Sequence, residues 1–192
     1  MERRDQACED AELAHRAVHD REAFGALYDR YAVAVYRYCY RRTGTREQAE
    51  DVTSAIFTRA LERLPSFRGG SFPAWLFAIA HSVANNAARR PSAVSLARSE
   101  SEPDVDPSPE ERAVHADERR ALRVALEALP ADQRRIVELR LAGLTGGEIA
   151  AALGKSVAAV KMSQLRAFRQ LRQALATPGA ESADEIQAQL RN

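Results

Sequence analysis

Residues 72–90 read Phe-Pro-Ala-Trp-Leu-Phe-Ala-Ile-Ala-His-Ser-Val-Ala-Asn-Asn-Ala-Ala-Arg-Arg, and the rest of the chain can be organised around them. Pro73 suits the first turn of a helix, where its missing N–H costs nothing. Leu76, Ile79, Ala80, Val83 and Ala87 recur at helical spacing and form one apolar stripe. The opposite face carries His81, Ser82, Asn85, Asn86, Arg89 and Arg90. Amide side chains can pair with base edges, and cations suit phosphates. Just upstream, Phe67-Arg68-Gly69-Gly70-Ser71-Phe72 is a short flexible loop with an aromatic at each end. Such a loop beside an amide-and-arginine face could hold an unstacked base. The face could equally be the solvated side of an ordinary amphipathic helix, and these residues alone leave both readings open.

Two helices are expected before this stretch. From Arg21 to Arg42 the apolar positions Phe24, Leu27, Tyr28, Tyr31, Val35, Tyr38 and Cys39 step by three and four. Tyr36 and Tyr40 lie off that stripe, and the tyrosines read as core and rim rather than a stacking platform. Gly44 ends the helix. Thr45 with Gln48 three residues later reads as a capping box for the next one. That helix, Arg46 to Leu64, is expected to bury Ala49, Val52, Ile56, Ala60 and either Leu61 or Leu64, and Pro65 stops it. Its other face shows Glu50, Asp51, Ser54 and Thr58. Residues 1–20 are polar and read as an extension frayed at its start. His15 and His19 lie four apart with Cys8 nearby, a spacing that could pair two ligands. No second cluster completes a zinc site, so no metal is expected and solvated helix surface is the reading.

Downstream the composition changes sharply. Residues 91–109 hold four prolines, several serines and Glu100, Glu102, Asp104 and Asp106, the composition of a flexible acidic linker. A second helical unit starts near Glu110, with Val114, Leu122, Val124, Leu126 and Leu129 as its first apolar face. Pro130 breaks it, and Ile136, Val137, Leu139 and Leu141 follow on the next helix. Gly143 ends that helix. Thr145 and Glu148 form a capping box, Ile149, Ala150 and Leu153 sit on a short helix, and Gly154 closes it as a left-handed residue. Ser156 can cap a longer helix running through Val157 and Val160 to Leu171. Short helix, glycine turn, longer helix is the sequence form of a helix-turn-helix. Lys155, Lys161, Arg166, Arg169 and Arg172 make that last segment basic, and it contains no acid. Residues 177–192 read as a tail.

These motifs together resemble the sigma factors of bacterial RNA polymerase, in particular the extracytoplasmic-function group. Trp75-Leu76-Phe77-Ala78-Ile79-Ala80 ending in Arg89-Arg90 resembles the promoter-melting helix. The resemblance implies that Phe67, Arg68, Phe72, Trp75, His81, Ser82, Asn85, Asn86, Arg89 and Arg90 contact the melted non-template strand of the minus-ten element. "Ala-Glu-Asp-Val-Thr-Ser-Ala-Ile-Phe-Thr-Arg-Ala-Leu" resembles the segment that docks on the polymerase clamp, which implies polymerase contacts by Glu50, Asp51, Ser54 and Thr58. "Glu-Ile-Ala-Ala-Ala-Leu-Gly-Lys-Ser-Val-Ala-Ala-Val-Lys" resembles the helix-turn-helix that enters the major groove of the minus-thirty-five element. Lys155, Ser156, Ala158, Ala159, Lys161, Ser163, Gln164, Arg166 and Arg169 are the residues implied there. Core RNA polymerase, promoter DNA and an anti-sigma protein are the partners implied, with no cofactor.

Composition agrees with an all-α chain of two small helical domains joined by a linker. Of 192 residues 45% are apolar but only 6% aromatic, enough for helical cores and poor for a β-sandwich. The expected division is an extension at 1–20, a polymerase- and minus-ten-binding domain at 21–90, the linker at 91–109, a helix-turn-helix domain at 110–176 and the tail. A formal net charge of +1 means that any nucleic-acid footprint is local. The two cysteines suggest no disulfide framework, and Cys39 is expected in the core with Cys8 exposed. No apolar run approaches membrane-spanning length, and Glu2, Asp5, Glu9 and Asp10 are unlike a signal peptide, so a cytoplasmic chain is expected. A free-standing helix-turn-helix regulator would leave the acidic helix and the Trp75–Arg90 stretch unexplained. An enzyme would need a phosphate loop, nucleophile–base pair or metal set, and none is found.

Overall fold

The computed structural model describes residues 2–89 and 121–176. Among them every regular element is helical: α1 (Glu2–Arg16), α2 (Arg21–Thr43), α3 (Arg46–Arg63), a 3-10 turn (Leu64–Ser66), α4 (Phe72–Arg89), α5 (121–128), α6 (Ala131–Leu141), α7 (Gly146–Leu153) and α8 (Val157–Ala176). The linker at 91–109, Val114 and the tail at 177–192 lie outside the described residues. The contacts separate two compact units. One joins α1–α4 with residues 139–156; the other joins residues 121–138 with 157–176. None of these helices is long and apolar enough to cross a membrane.

Local chemistry sets the helix ends. Asp20 caps α2, accepting the N–H groups of Glu22 at 2.9 Å and Ala23 at 3.3 Å. Those two bonds and Arg16 hold its carboxyl below the usual carboxylate range. Gly44, at φ 79°, supplies the left-handed residue that ends α2. Thr45 caps α3 by accepting from the Gln48 N–H.

In the first unit α2, α3 and α4 pack on one another. Leu27, Val35, Tyr38, Cys39, Ile56, Leu76, Phe77 and Ala80 fill the space between them. Full burial of one such large side chain is worth about 1.5–3 kcal/mol. Leu64, carried by the 3-10 turn, is buried, while Leu61 is 48% exposed. Tyr40 is also buried, although the helical stripe excluded it.

The N-terminal extension is not only the solvated helix surface expected of it. α1 packs on α2, burying Ala14, Ala17 and the carboxylate of Asp10. Asp10 accepts from the Arg30 guanidinium and from the Tyr31 hydroxyl of α2. Glu9 adds a second ion pair to Arg30 at 3.2 Å. Periodicity overlooks this helix because its anchor is a charge with two small alanines, not a row of large apolar residues.

Cys39 is buried and Cys8 exposed. Burial pushes the Cys39 thiol up to about 11 from 9.0. The native state therefore keeps its thiol proton where the unfolded chain loses it. Stability from this group is complete below pH 9 and lost as pH rises toward about 11, with a limiting slope of about 1.4 kcal/mol per pH unit. Cys39→Ala should flatten the decline of the urea midpoint across that window. An unchanged slope would show that the thiol is not its source.

The second unit has a core of Ala125, Leu129, Val137, Ala167 and Leu171, with Leu126 and Ala174 against it. Leu122 and Leu141, expected inside, are exposed. Ala125 and Ala128 take the inner face of α5 instead, because small residues allow close approach of helix axes.

Candidate polymerase and nucleic-acid interface

Glu50, Asp51, Ser54 and Thr58 all lie on the exposed face of α3. Ala49, Val52, Thr53, Ile56, Phe57 and Ala60 are buried on the other face, and this fixes the rotation of the helix. Arg46 reaches Glu50 at 2.7 Å, four residues along the same surface. Both side chains are more than half exposed, so a competing partner could take over Glu50 at small cost.

The face of α4 is narrower than its spacing suggests. Phe67 and Phe72, expected to hold a base, are both buried. They belong to an aromatic cluster with Trp75, at ring separations of 5.5–5.9 Å. Tyr31 closes the cluster from α2, and the His15 ring of α1 lies 5.5 Å from Phe67. The loop aromatics are thus core residues in this conformation, covered by the helix that periodicity overlooked. Trp75 is partly buried and Arg68 exposed.

His81 and Asn85 are half-buried and occupied within the protein. Arg42 of α2 donates to Asn85 Oδ1. Asn85 Nδ2 lies 2.8 Å from His81 Nε2, and His81 Nδ1 lies 3.2 Å from the Tyr38 hydroxyl. With Oδ1 taken by Arg42, the amide nitrogen must donate to Nε2. His81 is then neutral, with its proton on Nδ1 and donated to Tyr38. The Arg42 guanidinium also sits 5.5 Å from the centre of the Tyr38 ring. Tyr38 and Arg42 are the site neighbours that the sequence reading missed. Their four-residue spacing on α2 was the available signal. Ser82 and Asn86 are the exposed polar residues of this face. The Arg89 side chain and Arg90 lie outside the described residues.

α7 begins with a complete capping box. Thr145 Oγ1 accepts from the Glu148 N–H, and Glu148 Oε2 accepts from the Thr145 N–H at 2.7 Å. Gly154, at φ 62°, closes the helix as a left-handed residue, and α8 starts three residues later. On α8, Val160, Ala167 and Leu171 are buried. Ser156, Ala158, Ala159, Lys161, Arg166 and Arg169 are exposed, while Lys155, Ser163 and Gln164 are half-buried. Residues 155–176 contain five cations and no acid, so the charge on α8 is all positive within a nearly neutral chain, although Val157, Met162, Leu165, Phe168 and Leu175 are also exposed there.

Residues 27–93 match the family Sigma-70 region 2, and residues 119–171 match Sigma-70 region 4. The chain is 35% identical over 180 residues to the ECF RNA polymerase sigma factor SigD of Mycobacterium tuberculosis, covering 88% of this chain and 85% of SigD. This protein belongs to the extracytoplasmic-function sigma factors. It is also 38% identical over 167 residues to the sigma factor BldN of Streptomyces coelicolor, across 83% of this chain but only 63% of BldN. Among solved structures, CnrH in complex with the cytosolic domain of CnrY is similar, with a TM-score of 0.68 and 26% identity over 89% of this chain and 99% of CnrH. In this sigma factor, region 2 takes in most of α2 with all of α3 and α4. Region 4 takes in α5 to α7 and most of α8.

Proposed function

We propose that this sigma factor binds core RNA polymerase through the outer face of α3, reads duplex promoter DNA with α8 and captures the melted strand beside α4. The acid-free, exposed basic side of α8 carries this reading, because it places a phosphate-seeking surface on the matched helix-turn-helix segment. The proposed role is binding without catalysis. Strand capture moves the duplex toward the open state through contacts that only the open state offers. Residues 21–90 and 110–176 are the proposed functional domains, joined by 91–109, and the proposed compartment is the cytoplasm. An anti-sigma protein is a further proposed partner, supported by the solved complex of CnrH with CnrY.

The α3 assignment has a direct test. Replacing both Glu50 and Asp51 with Lys should reduce capture of core polymerase, measured without DNA, by at least about tenfold, because like charges across an interface cost several kcal/mol. The fold should survive, since both side chains are exposed. A folded double mutant with unchanged core affinity would remove α3 from the docking site. A free-standing regulator would show no core capture in either form.

A further inference from the structure

The last turn of α1 brings an exposed ring to the loop that precedes α4. Asp10, Ala14 and Ala17 follow one another at steps of four and three and are all buried, so the Asp10–Arg30 ion pair helps to set the rotation of α1. His15 comes directly after Ala14 and falls about 100° further round the helix, outside that buried row. α1 also packs against the 3-10 turn and α4. There the His15 ring lies 5.5 Å from Phe67, at an interplanar angle of 45°.

An unstacked base needs a flat ring that solvent can reach. Phe67 and Phe72 are buried, and Tyr31 and Trp75 are half-buried. Phe67 is further engaged edge-on by Phe72 and Trp75. Among the described members of this cluster, His15 is the exposed ring. The backbone beside it is bare. Gly69 and Gly70 hold φ of 89° and 88°, a conformation that glycine adopts freely and other residues rarely do. A Cβ on Gly69 would lie 3.7 Å from His15 Nε2, and a Cβ on Gly70 would meet nothing within 4 Å. The edge of the imidazole therefore abuts side-chain-free backbone with open space next to it. Arg68, the residue before, is exposed.

We propose that His15 is the ring on which an unpaired base of the melted strand stacks, with Gly69 and Gly70 admitting the nucleotide and Arg68 meeting its phosphate. This rests on the strand-capture reading above and adds a residue of α1 to that site. Histidine is among the side chains that stack on splayed bases, and every base offers a π-face. The contact supplies grip on the strand rather than a choice between bases.

Holoenzyme assembled from core polymerase and the full chain is titrated with a labelled single-stranded oligothymidylate, and core polymerase alone gives the baseline. His15→Ala should weaken the sigma-dependent binding by about fivefold to a hundredfold, the loss expected for one stacked base. His15→Phe should restore it to within about twofold of the parent, because it keeps a stacking ring without the imidazole's hydrogen bond or charge. His15→Lys should stay weak. The slope of log affinity against log salt should be equal in the parent and in His15→Ala, because stacking releases no counterions. Circular dichroism and capture of core polymerase should be unchanged in each variant, since the side chain is exposed on α1. Parental affinity in His15→Ala, a His15→Phe variant no better than His15→Ala, or rescue by His15→Lys would overturn the stacking role. Asn86→Ala separates that failure from a wider one. Weakened binding by Asn86→Ala beside an unchanged His15→Ala would remove only His15 from the site. A parent holoenzyme that binds the oligonucleotide no better than core polymerase would remove strand capture, and this proposal with it.

Discussion

Replacing Lys161 and Arg166 with Ala is expected to weaken binding to duplex promoter by about 1–3 kcal/mol for each base-edge contact removed. Both side chains are exposed on α8, away from the buried row of Val160, Ala167 and Leu171. The fold should therefore be unaffected. The slope of log affinity against log salt should also flatten if phosphate contacts are lost. Replacing Asn85 and Asn86 with Ala should act on a different step. Duplex binding should survive, while permanganate reactivity of minus-ten thymines falls, because the open state loses contacts that the closed duplex never had. Asn86 is the exposed member of that pair, and Asn85 acts within the Arg42–His81 chain. A promoter carrying a pre-melted bubble distinguishes the two variants. Pre-melting removes the cost of opening but cannot restore strand contacts. Rescue should be partial for the asparagine variant and negligible for the α8 variant. Identical behaviour on duplex and bubble templates would defeat the proposed division of labour.

Asp10→Ala is expected to lower the stability of the first unit by about 3 kcal/mol, the low end for breaking a buried ion pair. The Asp10 side chain is only 2% exposed, and it satisfies both the Arg30 guanidinium and the Tyr31 hydroxyl. Removing it takes the shared acceptor from both donors. Arg30 is partly exposed at 27% and retains Glu9, which keeps the loss from reaching the upper end. Asp10→Asn should cost less, because the amide oxygen still accepts one of the two bonds. Urea unfolding followed by circular dichroism would measure both variants. A loss below about 1 kcal/mol for Asp10→Ala would mean that α1 is held by Ala14 and Ala17 rather than by the ion pair.

What could be read from sequence was mostly local. The caps at Thr45, Thr145 and Glu148, and the glycines at 44 and 154, act within a few residues of themselves. They mark helix ends in any context. The stripe of Leu76, Ile79 and Ala80 also needed only helical spacing, and it fixed which side of α4 turns inward. The exposure of Glu50, Asp51, Ser54 and Thr58 followed from the same periodicity on α3. The absence of acids after Lys155 was a matter of composition.

The tertiary structure decided what periodicity cannot see. Phe67 and Phe72 looked available because a loop imposes no period. Whether they face solvent depends on α1 and Tyr31, which come from other parts of the chain. α1 itself is held by a charged residue, and a buried carboxylate looks like a surface residue until its partners are in place. The choice of Leu64 over Leu61 depended on a 3-10 turn that rotates the chain just after α3. His81 and Asn85 fell on a polar face, as spacing required, but Tyr38 and Arg42 on a neighbouring helix turned them inward. Helix ends and helix faces arise from interactions over three or four residues, and so the sequence carries them openly. Which polar groups remain free for a partner depends on hydrogen bonds spanning 43 residues, from α2 to α4, and only packing sets those.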